Sequence, residues 1–160
     1  GAGRLMGRTR DGSFLAFGVL ALASCGAAPP PRPPPEVELR VRFTALEVVD
    51  DKEIGRGDWR VTLLVDGKPL PKPLTGEADA GGAVPLDVSV VSRGPEASHR
   101  LVVTATVEEY DGGFDDSWEW LGEKTMTFDA AHGFGVGGKT ISFNTGEGDV
   151  KLHFVITRGP

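Results

Sequence analysis

Carboxylates crowd beside glycines at two places in this 160-residue chain. Asp50, Asp51, Glu53 and Asp58 share one stretch with Gly55 and Gly57, and Glu108, Glu109, Asp111, Asp115 and Asp116 share another with Gly112 and Gly113. Carboxylates held close together repel one another unless a hard cation sits among them, and Ca2+ takes about six to eight oxygen ligands from loops flexible enough to wrap it. Calcium is the ion that suits this pattern. The competing reading is that Asp and Gly populate any solvated turn. An EF-hand is excluded, because the spacing of aspartates, glycine and terminal glutamate that it requires does not occur. The same acidic groups could flank a glycosidic bond. A small sandwich without an evident cleft-forming insertion is a poor frame for that chemistry, so the chain reads as a binding protein and not as an enzyme.

The second reactive group is the single cysteine, Cys25, which closes the apolar run 14–24 and precedes a tract with prolines at 29–31 and 33–35. Arg8 and Arg10 lie ahead of that run, which is too short to span a bilayer, and small residues surround the cysteine, as in an export signal. Leu22-Ala23-Ser24-Cys25 resembles a bacterial lipobox. The resemblance implies cleavage before Cys25, a diacylglycerol on its sulfur, and a protein anchored by lipid in the cell envelope, at the outer membrane or cell surface and not in the cytoplasm. Residues 1–24 are then a signal peptide, with 1–5 lying upstream if Met6 is the start. Residues 25–36 form the lipidated cysteine and a proline-rich tether, extended at about 3.1 Å per residue. With its thiol acylated, the mature chain has no cysteine left for a disulfide or a metal.

Trp59, Trp118 and Trp120 border the two acidic stretches. Exposed, they would form a flat platform for sugar rings or for an envelope protein; buried, they would cap the core. His99, His132 and His153 show no zinc spacing. The letters of G-x-G-x-x-G occur at 133–138, but a strand-like run follows where a dinucleotide site needs a helix, so the segment reads as a loop. No G-x-S-x-G elbow is present, and nothing in position gathers a Ser, a His and an Asp. The net charge of −6 disfavours nucleic acid and acidic lipid surfaces as partners.

What must position these groups is a set of strands. Val37, Leu39, Val41, Phe43 and Ala45 alternate with polar residues, and the same period of two recurs over 59–65, 84–91, 101–109, 121–128, 139–143 and 150–156. Asp66-Gly67 supplies a type I′ hairpin turn. The segment 68–74 carries Pro69, Pro71 and Pro73 and so reads as an edge strand, bonded on one side only. Eight strands and no capped helical period predict an all-β, mainly antiparallel β-sandwich over 37–158. In such a sandwich the connections after strands one, three and five share an end, so the two acidic stretches meet there.

Val107-Glu108-Glu109-Tyr110-Asp111, then Asp115-Asp116 and Leu121-Gly122-Glu123, resemble the third calcium loop of C2 domains. The run 45–51 followed by Gly57-Asp58-Trp59 is similar to their first loop. The resemblance implies a C2-like sandwich with Asp51 and Asp58 as first-loop ligands, and Glu109, Asp111 and Asp115 or Asp116 as third-loop ligands. Glu109 stands where the family usually has Asp, and 117–120 lengthen the gap before Leu121-Gly122. The combined reading is a lipid-anchored envelope protein that displays a calcium-supported binding module. The alternatives are a metal-free interaction module and a small carbohydrate-active enzyme.

Overall fold

Alternation of apolar and polar residues makes β1 (Glu36–Asp51) the spine of one sheet. Val37, Leu39, Val41 and Phe43 are buried, and after a bulge at Thr44 the buried set becomes Leu46 and Val48. One extra residue in a pattern of period two moves the inward set from odd to even positions. The alternation visible in the sequence stops at 45; the bulge lets the strand continue to Asp51.

The computed structural model describes residues 28–51, 57–110, 117–145 and 148–160. After β1 come β2 (Gly57–Val65), β3 (Lys68–Pro69), β4 (Leu74–Ala78), β5 (Ala83–Pro95), β6 (Arg100–Tyr110), β7 (Trp118–Asp129), a turn of 3₁₀ helix (Ala130–Gly135), β8 (Gly137–Asn144) and β9 (Gly148–Arg158). The first sheet has the order β5-β1-β9-β8, and the second the order β3-β2-β6-β7, with β4 also on β2. Every pairing is antiparallel. The all-β antiparallel sandwich expected from the sequence is what forms. Residues 28–32, ahead of the compact unit 33–160, are exposed and have no regular structure.

Nine strands stand among the described residues where eight were expected. The difference lies at 68–74. The prolines at 69, 71 and 73 withhold the backbone donors that a continuous ladder needs, so this edge breaks into the two-residue β3 and the five-residue β4. Both run antiparallel to β2, Val65 opposite Lys68 and Val61 opposite Leu74, so the ends at which later connections emerge are those of one strand. Asp66 and Gly67 take φ values of 52° and 73°, as a type I′ turn requires.

Between the sheets lies one apolar layer. Phe154 of β9 meets Phe43 at 5.6 Å and Phe128 at 6.3 Å, measured between ring centroids. The glycine-rich loop contributes a plug: Phe134 is buried at 2% exposure with φ of 54°, between Gly133 and Gly135 at 60° and 62°. Gly135 has no alternative, because a Cβ there would overlap the Phe128 ring. On the open side of the sandwich the Lys124 ammonium of β7 donates to the Ser142 carbonyl of β8 at 2.5 Å, joining the two edge strands.

Phe154→Ala is expected to cost about 3–5 kcal/mol in denaturant unfolding, the range for a buried aromatic truncated to a cavity. Val91→Ala, at an exposed position of β5, should stay within about 0.5 kcal/mol of the parent.

Candidate functional site

The strand ends that flank the two acidic stretches lie at one end of the sandwich. Asp58 of β2 stands opposite Tyr110 of β6, and Tyr110 stands opposite Trp118 of β7. On the first sheet Asp51 pairs with Gly148 and Asp50 with Asp149. Asp149 is a carboxylate that the sequence reading passed over, although the acidic turn around Gly148 could have drawn attention to it.

The predicted ligands separate on inspection. Glu109 is buried at 2% exposure on the inner face of the second sheet, and a Cβ on Gly57 would stand 2.5 Å from its Oε1. Asp58 is exposed and, one residue before the buried Trp59, points to the outer face. Their side chains therefore leave opposite sides of the same sheet. Asp51 closes β1. Asp111, Asp115, Asp116 and Cys25 lie outside the described residues. Among the described residues no three His, Cys, Asp or Glu side chains gather as a metal-holding group.

The three tryptophans also part company. Trp59 is fully buried, and its indole N–H donates to the Ala78 carbonyl at 3.1 Å. It caps the core and supplies nothing to an exposed platform, which corrects the expectation for that residue. Trp118 and Trp120 share the outer face of the second sheet, where Trp120 is 64% exposed. Beside them Arg60 grips Glu108 in a bidentate pair, Nε to Oε2 at 2.6 Å and Nη2 to Oε1 at 2.7 Å. The Arg60 guanidinium lies 4.3 Å above the Trp118 ring, and Trp118 packs against Tyr110 at 5.4 Å. Glu108's hydrogen bonds hold Arg60 above its already high ordinary pKa.

At the opposite end the fold gathers a Ser, a His and an Asp that no sequence pattern associates. Ser92 is buried; its hydroxyl donates to Asp66 Oδ2 at 2.5 Å and accepts from His99 Nε2 at 2.7 Å. The second oxygen of Asp66 accepts the Val102 N–H at 2.9 Å. In a hydrolase triad the imidazole stands between hydroxyl and carboxylate; here the hydroxyl stands in the middle. The contact acts as a staple from the β2–β3 turn across to β5 and the turn that follows it. Ser92→Ala strips two half-buried partners of their shared hydroxyl and is expected to cost about 1–3 kcal/mol in thermal or denaturant unfolding.

His153, on the outer face of the first sheet, donates from Nε2 to Glu47 Oε2 at 2.6 Å, and its Nδ1 lies 3.1 Å from the Thr140 hydroxyl. That hydrogen bond from His153 is the chief reason the Glu47 carboxyl titrates below the usual carboxylate range, and His132 lowers Asp129 in the same manner. A carboxyl whose pKa falls on folding adds stability that is present above its unfolded value and is lost as pH drops through the folded one. The melting temperature should therefore decline below about pH 4, and Glu47→Gln should flatten part of that decline. Superimposable pH profiles for parent and variant would refute the assignment.

No family model matches the chain, and no curated protein does. Solved structures similar to it include one described as the structure of a C2 domain, at 15% identity and a TM-score of 0.44, covering 78% of this chain and 99% of that one. The C2A domain of plant extended synaptotagmin 1 is similar at 10% identity and a TM-score of 0.46, covering 78% and 95%. Human GIVD cytosolic phospholipase A2 is similar at 11% identity and 0.46, where the match spans 80% of this chain but only 17% of the enzyme. The likeness is one of fold.

Proposed function

We propose that this chain is an envelope-anchored binding module, held by lipid at Cys25, whose acidic end faces away from the membrane and is supported by calcium. The observation that carries this reading is where the chain enters the fold. β1 begins at Glu36 opposite Pro95, and the Pro35 carbonyl accepts the Glu96 N–H at 2.8 Å. The acidic strand ends stand at the other end of the 16-residue β1. On this reading the end that carries Asp50, Asp58 and Asp149 is the one remote from the point where the tether joins the sandwich at Glu36. Binding is favoured over catalysis by the placement of the polar side chains, which are spent in staples and ion pairs across strands.

The described donors do not by themselves make a calcium site, since Asp58 and Glu109 diverge. The reading therefore rests calcium on Asp51 with Asp111, Asp115 and Asp116, and draws support from Asp50 opposite Asp149. Like charges facing each other across an antiparallel pair destabilise it, and a cation at that end would offset the repulsion.

Two measurements test the two halves. Cys25→Ala should move the protein from the membrane pellet to the soluble fraction of a bacterial host; unchanged partitioning would sink the anchor. Melting of the full chain in EDTA and then in millimolar Ca2+ should show a stabilisation of about 2.7 kcal/mol once calcium exceeds Kd by about a hundredfold. Asp111→Asn should abolish that shift, while Asp149→Asn should raise the melting temperature in EDTA. A melting temperature indifferent to calcium would leave a metal-free module.

A further inference from the structure

The outward residues of the second sheet fall into cross-strand rows: Asp58, Tyr110 and Trp118 in one, Arg60, Glu108 and Trp120 in the next, then Thr62, Thr106 and Glu123. Neighbouring strands lie about 4.8 Å apart and alternate residues about 7 Å apart along a strand, so two adjacent rows outline an area the size of one or two sugar rings. We propose that this area binds a neutral saccharide, with a pyranose ring stacked on Trp120 and its hydroxyls on the Arg60–Glu108 pair. The proposal rests on the chain being a binding module, and on neither the lipid nor the calcium.

Trp120 is held in place by a device in the backbone. Glu108 pairs with Trp120 and Val107 with Gly122, so Leu121 is an extra residue in β7. The bulge sends Leu121 into the core at 5% exposure and leaves the preceding indole open to water. Bulges re-aim side chains in this way near binding sites. Thr106 and Thr104 continue the surface as hydroxyls, bonded to Glu123 at 3.2 Å and to Thr125 at 2.9 Å.

Charge selects the class of ligand. A cation would meet the Arg60 guanidinium, already stacked on Trp118, and could use none of its N–H donors. An anion would meet Asp58 and Glu123 at the rim. A polyol is both donor and acceptor and carries no charge, so it can use the guanidinium, the carboxylates and the threonine hydroxyls together, while its C–H face covers the indole. A second copy of the chain fits less well. Three aromatic rings of about 150–250 Å² each, two of them partly covered, fall short of the roughly 800 Å² per partner of a stable interface.

Tryptophan emission of the full chain carrying Cys25→Ala, titrated in EDTA with neutral di- to hexasaccharides of hexose and N-acetylhexosamine, tests the proposal. A saturable change is expected with at least one of them. Trp120→Ala should weaken that binding about tenfold or more, a loss comparable with one good stacking contact. Trp120→Phe should weaken it less, and Val91→Ala on the other sheet should leave it unchanged. Melting of each variant checks that it is folded. No saturable change with any member of the panel, tighter binding of anionic oligosaccharides, or full affinity in Trp120→Ala would each overturn the proposal. Self-association in sedimentation that disappears in Trp120→Ala would also overturn it, by giving the patch to a second copy. Because anchor and calcium are absent from the titration, its failure leaves the membrane and calcium measurements standing, and theirs leaves it standing.

Discussion

The architecture depends on the slip at Thr44. β1 has a strand on each side, and both β5 and β9 change register between Phe43 and Ala45. A bulge accepted by one neighbour alone would tear the other ladder; accepted by both, it bends the whole sheet in step. Only because the slip is shared can an inward row run from Val37 to Val48 without placing a polar residue in the apolar layer. A further slip between Val48 and Asp50 then decides that Asp50 faces Asp149 and Asp51 faces Gly148. The arrangement of charge at the far end is thus a consequence of backbone register set along the strand.

This explains what could and could not be read from the residues. The period of two located the strands because burial on one face enforces it, and Asp66-Gly67 located the hairpin because few residues tolerate two positive φ angles. The prolines of 69–73 marked an edge correctly, but they broke it into two strands as well, since alternate missing donors leave too few ladder bonds between them. Bulges leave no such trace. Leu46 and Val48, seen in sequence, break the alternation, and only pairing on both sides restores it. Leu121 likewise looks like the start of a strand when it is a displaced residue within one that begins at Trp118.

The candidate sites divide along the same line. That the strand ends flanking the two acidic stretches share one end of the sandwich followed from the parity of antiparallel connections. Which carboxylates converge did not, because Asp58 and Glu109 differ by a single step in the pleat and so fall on opposite faces. Trp59 and Trp120 carry the same side chain to opposite fates for the same reason: the first is in phase with the core, and the second is thrown out of it by the bulge. The Asp66–Ser92–His99 staple joins a turn, a strand and a second turn, so no local pattern could have announced it.

One contact bears on how copies of the chain behave beside one another. A sandwich of two sheets has edge strands whose unpaired carbonyls can recruit a neighbour's backbone. β7 and β8 are such edges, and Lys124 spends its ammonium on the Ser142 carbonyl between them. It also lies 5.8 Å from the centre of the Phe143 ring, over the seam. A strand arriving from another copy would have to displace this charged donor from the carbonyl it occupies. Lys124 thus places a charge on this edge of the sandwich, one of the devices by which sheets discourage the addition of a further strand.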